Sequence, residues 1–190
     1  MPISPSPGLI SRRPLLRILC ALTLLVISPS LYPQGRESAL SEGEVEKLRD
    51  VADEPSERVL TFVKFLDTRV KTIQDLYAKP RRPGREEDTH DLLEQITLIA
   101  DELNDNLDDY GPRHYDIRKA LPKLLEASDR WITTIKTPPE NATYDVSRRL
   151  TLEAIQDIRD SAQKLEEEQK EWFLAHPPAG ENSKKKKNAD

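Results

Sequence analysis

Glu87 and His90 stand three residues apart, a spacing that on a helix lets a carboxylate and an imidazole reach one metal ion. Carboxylate di-iron bundles need two such pairs and two further inward glutamates, and neither His114 nor His176 has a glutamate three residues before it. The simpler reading of Glu86, Glu87, Asp88 and His90 is a solvated helix start, where acidic side chains meet the positive end of the helix dipole. A second array is acidic. Asp101, Asp105 and Asp109 recur every four residues on one helix face, with Glu102 and Asp108 beside them. Hard divalent cations take such oxygens, so these three aspartates are the candidate metal ligands, although the glycine turn and ligand order of a calcium loop are missing.

Asp105, Asp108 and Asp109 also crowd the end of their helix, where the macrodipole disfavours anions. Three readings stay open: a hydrated face, neutralisation by Arg113, Arg118, Arg148 or Arg149, and a site for a cation or a basic partner. A third array is basic, with Arg81, Arg82 and Arg85 following Lys79 in a loop broken by Pro80, Pro83 and Gly84. These arginines suit an anionic lipid headgroup, a cell-wall polymer or the acidic face of a protein. The alternative is a solubilising turn whose arginines pair with Glu86, Glu87 and Asp88. Lys184 to Lys187 pose the same choice.

No serine lies in a nucleophile-elbow motif, the three histidines fall in separate segments, and no glycine-rich phosphate loop occurs. The reading is therefore a non-enzymatic protein with no cofactor. The 33% charged fraction, few aromatics and only 6 Gly fit long helices with charged outer faces.

The elements that would carry these residues are helices. Ser41 and Glu44 form a capping-box pattern that starts a short helix ending near Ala52, and Pro55 suits the first turn of a second one reaching Ala78. In that second helix Val59, Val63, Leu66, Val70, Ile73 and Tyr77 alternate in spacings of four and three, which makes one buried seam. Leu60, Phe62, Phe65 and Leu76 widen it beyond a two-stranded coiled coil, so a bundle explains it better. The next helix runs from about Glu86 to Tyr110 with Leu92, Ile96, Ile99, Leu103, Leu107 and Tyr110 inward, and Gly111-Pro112 should end it.

Ile117, Leu121, Leu124, Ser128, Trp131 and Ile135 form the next seam, with a kink or fresh start near Leu121 because of Pro122. The last helix spans about Thr143 to Leu174, with Val146, Leu150, Ile155, Ile158, Ala162, Leu165 and Trp172 inward. Short connections then imply an all-α, antiparallel, up-down bundle of about four long helices preceded by a short one.

Arg12, Arg13 and Arg17, the apolar run Ile18 to Ile27 and Ser28-Pro29-Ser30 follow the order of a secretory signal peptide. The apolar run is about ten residues where a membrane-crossing helix needs about 20, so no stable transmembrane anchor is expected after cleavage. Ser11-Arg12-Arg13-Pro14-Leu15-Leu16-Arg17 resembles the twin-arginine export motif; an ordinary signal with adjacent arginines is the alternative. Cys20, the only cysteine, leaves with the signal.

The expected organisation is a signal peptide at 1–30, a polar linker at 31–40, a helical bundle at 41–176 and a disordered Lys-rich tail at 177–190. Residues 31–176 carry 22 Lys and Arg against 32 Asp and Glu, a balance of −10 that repels nucleic acid. The expected function is that of an exported, periplasmic or extracellular binding or adaptor module of the bacterial envelope, its partner a protein or an anionic envelope component. The other reading is a small-ligand or divalent-cation carrier using an inter-helix cavity or the acidic strip.

Overall fold

The computed structural model describes residues 39–177. The proposed signal peptide, the linker before Ala39 and the tail beyond Pro177 lie outside the described residues. Five helices follow one another: α1 (Glu42–Asp50), α2 (Pro55–Ala78), α3 (Arg85–Arg113), α4 (Leu121–Ile135) and α5 (Asp145–Ala175). Among the described residues there is no strand, and the packing is bundle-like. Leu40, assigned by sequence to the linker, is buried in the core.

Local chemistry accounts for most of the helix ends. Glu44 reaches back to the Ser41 amide at 2.9 Å and also accepts from the Ser41 hydroxyl at 3.0 Å. Pro55 and Pro122 sit in the first turns of α2 and α4, where a missing amide proton leaves no helical bond unmade. Pro122 therefore begins a helix and does not kink one. The end of α3 differs from expectation. The helix continues through Gly111 and Pro112 to Arg113, and the left-handed residue is His114, with φ of 54°. His114 donates its amide to Gly111 O at 3.0 Å and Tyr115 donates to Tyr110 O at 3.2 Å, so the last carbonyls are satisfied one turn later. Gly111 serves a different purpose, because a Cβ there would stand 3.0 Å from Leu165 Cδ2 of α5.

Side-chain bonds set the neighbour relations. Arg58 meets Asn106 at 2.9 Å and Tyr77 meets Thr89 at 3.4 Å, so the numbering of α2 and α3 runs in opposite senses. His90 meets Ser147 at 2.7 Å, Thr97 meets Thr151 at 3.0 Å, and Gly111 lies against Leu165, so along α3 and α5 the numbers rise together. They also rise together from Ser56–Asp116 at 3.0 Å to Asp67–Trp131 at 2.7 Å on the side shared by α2 and α4.

Helices α3 and α4, consecutive in the chain, do not pack on each other; α3 packs on α2 and α5, and α4 on α2 and α5. Chain neighbours are thus not all spatial neighbours, contrary to the argument from short connections. Residues 114–120 can span about 23 Å when extended, enough for the ~14 Å diagonal of a four-helix square with sides of about 10 Å.

The core faces of α2 and α4 lie where the apolar spacing puts them, with Leu66, Leu121 and Leu124 fully enclosed. In α3 it is Leu93, not Leu92, that is buried. The two ends of α5 depart further, since Val146, Leu150 and Trp172 are 62%, 44% and 36% exposed. Ser147, Thr151 and Gln169 take the inward positions instead. Each is satisfied there: Ser147 by His90, Thr151 by Thr97 and by the Leu93 carbonyl at 3.0 Å, and Gln169 by the Ile117 amide at 3.1 Å and the Tyr115 carbonyl at 2.8 Å. Hydrogen bonding removes the cost that would otherwise keep such groups at the surface.

Candidate functional site

The acidic strip lies along the outer side of α3, where Asp101, Asp105, Asp108 and Asp109 are all exposed. Asp101 and Asp109 are eight residues apart, about 12 Å along the helix axis, too far to converge on one ion. Among the described residues no group of three or more His, Cys, Asp or Glu side chains is placed to hold a metal. Of the four arginines considered as neutralisers, Arg113 pairs with Asp109 at 2.9 Å, one helical turn away. Arg118 turns to Asp116, Arg148 to Asp145 and Arg149 to Glu153. His90 faces Ser147 and lies 3.4 Å from Glu94; the spacing to Glu87 is not used.

The basic loop is folded onto the start of α3. Arg81 lies 3.2 Å and Arg85 3.1 Å from the same Glu86 carboxylate oxygen, and Arg82 pairs with Asp88. Burial pushes the Glu86 carboxyl up, but the Arg85 hydrogen bond and the charges of Arg81 and Arg85 outweigh it and leave its pKa lowered. Arg85 is largely enclosed, and its Nε has no hydrogen-bond partner. Its guanidinium lies 4.4 Å above the Tyr77 ring, so the aromatic face offsets part of that loss. Arg81 and Arg82 remain well exposed behind their ion pairs.

The opposite end of the bundle holds an arrangement that the sequence pattern does not disclose. Gln169 ties the last turns of α5 to residues 115 and 117, which brings His114 to α5. The Trp172 indole lies 3.6 Å from the His114 ring at an interplanar angle of 5° and 4.0 Å from the His176 ring at 20°. Two nearly parallel rings so close to the same centroid cannot share a face, so the imidazoles cover both sides of the indole and leave its edge outward. Arg118 places its guanidinium 4.2 Å over the Phe173 ring while holding Asp116 with two bonds of 2.8 and 2.9 Å. Those bonds, against burial, lower the Asp116 pKa. Tyr115 is exposed, and Leu174 is 76% exposed.

Grooves border the helices among the described residues. One of about 510 Å³ between α2 and α4 includes Asp67, Gln74, Arg130 and Thr134, and Asp67 there accepts from Trp131 Nε1 at 2.7 Å and from Arg130 at 3.4 Å. Another, of about 340 Å³, lies between the C-terminal halves of α3 and α5, beside Gly111 and Leu165. No helix among the described residues is long and apolar enough to cross a membrane. Comparison with protein-family models, with curated proteins and with solved structures finds nothing that matches this chain.

Proposed function

We propose that this chain is an exported, non-enzymatic binding module of the bacterial envelope, a four-helix up-down bundle that engages a partner through the end formed by the α3–α4 connection and the last turn of α5. The observation that carries the reading is the exposure of Tyr115, Trp172 and Leu174 at one end of the bundle; the other large apolar side chains exposed among the described residues, Val45, Val146 and Leu150, belong to α1 and the start of α5. Large apolar groups exposed together on a soluble domain mark an interaction surface. Arg81 and Arg82 supply a second contact for an anionic partner at the opposite end.

Photo-cross-linking from position 174 in the native host tests this, with position 75 on α2 as the control. A discrete adduct at 174 and none at 75 is expected; no adduct at 174 overturns the assignment. Export is checked on the same material, because the mature N-terminus should fall between Leu31 and Glu37. An intact Met1 in a soluble cytoplasmic fraction would remove the envelope from the proposal.

The second reading, a small-ligand or cation carrier, draws on the groove between α2 and α4. Native mass spectrometry and metal analysis of protein from its own host distinguish the two. A stoichiometric ligand or metal favours the carrier, and a protein free of both favours the module.

A further inference from the structure

We infer that the His114–Trp172–His176 stack is a pH-dependent latch, which fastens the end of α5 to the α3–α4 connection and tightens as its two imidazoles take up protons. The latch needs no partner and does not depend on the binding-module reading. Gly111 of α3 lies against Leu165, so α5 runs on past the end of α3 and carries Trp172 beyond it. His114 belongs to the connection and His176 to the C-terminus of α5 itself. The indole, held between the two rings, thus joins segments more than fifty residues apart in the chain.

The position of each imidazole favours a cation. His114 directly follows α3 and His176 directly follows α5, so both stand at the negative ends of helix dipoles. Each ring lies over a face of the indole, whose π cloud attracts a cation more strongly than a neutral ring. His176 Nδ1 is 3.1 Å from the Trp172 carbonyl oxygen, and a protonated ring always meets that acceptor with an N–H. The residue that turns left-handed after a helix is usually glycine. His114 adopts that conformation at φ of 54° and brings to it a ring that reaches Trp172.

The surrounding charge acts in the same direction. Helix α5 brings Glu167, Glu168 and Glu171 with Lys164 and Lys170, and the end of α3 brings Asp108 and Asp109 with Arg113. The connection and the start of α4 bring Asp116 with Arg118, Lys119 and Lys123, while Asp53, Glu54 and Glu57 stand at the start of α2. Tyr115, beside His114, packs edge-on against Tyr110. Carboxylates outnumber cations here, which favours a proton on either ring. The second proton meets the charge of the first across the indole, so uptake spreads over a wider range than that of a lone histidine. Histidine changes charge between about pH 5 and 8. Within that window the latch is tightest at the acid end and loosens as pH rises and the protons leave.

The chain has three histidines, so the imidazole Hε1 resonances of His90, His114 and His176 can be followed separately through a pH titration of the full chain. Trp172→Leu should lower the proton affinity of His114 and of His176 about threefold each, and leave unchanged that of His90, at the other end of α3. An affinity that stays the same or rises at either of the two rings overturns the inference. Should Trp172→Leu fail to fold, the unmodified chain supplies a second measurement. Trp131 is 1% exposed and Trp172 36%, so quenching by acrylamide, corrected for lifetime, reads Trp172. The quenching constant should fall about threefold from pH 8 to pH 5.5, and His114→Gln with His176→Gln should abolish the change. A constant that ignores pH, or a pH dependence that survives in the double variant, rejects the latch as well.

Discussion

Glu44 shows how one carboxylate can fasten two elements. It accepts from the Ser41 amide and hydroxyl in the first turn of α1 and pairs with Arg69 of α2, whose other amino group donates to the Ala39 carbonyl at 3.0 Å. The Arg69 hydrogen bond, followed by those from Ser41, outweighs burial and brings the Glu44 pKa from 4.5 down to about 2. A lowered carboxyl pKa adds stability that is complete above the unfolded value and is lost as pH falls toward the folded one. Glu44→Gln should therefore destabilise the protein by about 1–3 kcal/mol at neutral pH. The gap to the unmodified chain should close between pH 4.5 and about 2, and urea titrations at several pH values read it directly. A constant gap would mean that the Arg69 pair does not contribute. The acidic strip of α3 behaves differently, because its members are exposed. Asp105→Asn should stabilise by about 0.2–0.5 kcal/mol at low salt by relieving like-charge repulsion from Asp101 and Asp109, one turn away on either side, since α3 continues two turns beyond it to Arg113 and the helix end is out of reach. Asp109→Asn should come out near zero, since about 0.3–0.5 kcal/mol from the Arg113 pair is lost at the same time. Raising the salt should shrink the Asp105 gain, and a calcium-dependent rise in melting temperature would instead point to a bound cation.

At the level of elements, the middle of α5 is buried through Ala154, Ile155, Ile158, Ala162 and Leu165, and its two ends through polar residues with partners on other segments. Gln169→Leu should cost about 1–3 kcal/mol because it leaves the buried Ile117 amide without an acceptor. Val146→Ser and Leu150→Gln should each stay within about 0.5 kcal/mol, as surface changes do. Thermal or urea melts of the three variants decide the matter, and a larger loss at Val146 than at Gln169 would show the face of α5 to be the one the apolar pattern suggests. This is also where the limit of reading from sequence falls. The seams of α2 and α4 are legible because their inward residues are apolar almost throughout, and Ser128 of α4 hides by bonding the Leu124 carbonyl at 2.8 Å within its own helix. Ser147, Thr151 and Gln169 were not legible, since their partners lie more than fifty residues away on other elements. A periodic pattern registers hydrophobicity, not distant hydrogen bonds. The end face escaped notice for the same reason: Trp172 sits at seam spacing, and only the placement of His114 and His176 shows it stacked near the surface.

For the whole molecule, the arrangement amounts to two hairpins, α2–α3 and α4–α5, set side by side so that α3 lies along α5 and α2 along α4. A segment of seven residues, 114–120, links them across the diagonal, and the left-handed His114 turns the chain at its start. Three polar or small residues of α3, His90, Thr97 and Gly111, meet α5 along its length. Small side chains let two helices running in the same direction approach closely, and the hydroxyl and imidazole bonds give the pairing a register that apolar contacts alone would not. Thr97→Cys with Thr151→Cys, in the chain after removal of residues 1–30 and hence of Cys20, tests this arrangement. The two hydroxyl oxygens lie 3.0 Å apart, so the sulfurs can meet with little backbone movement. Oxidation should give an intramolecular disulfide that closes a loop of more than fifty residues, with a stability gain of about 2–4 kcal/mol if the geometry is unstrained. In a bundle whose chain neighbours were all spatial neighbours, α3 and α5 would face each other across the diagonal at ~14 Å, beyond the reach of a disulfide. Quantitative free thiol in the folded protein after oxidation would therefore reject the side-by-side hairpins. Rapid cross-linking, with an unchanged circular dichroism spectrum and a higher melting temperature, is the expected result.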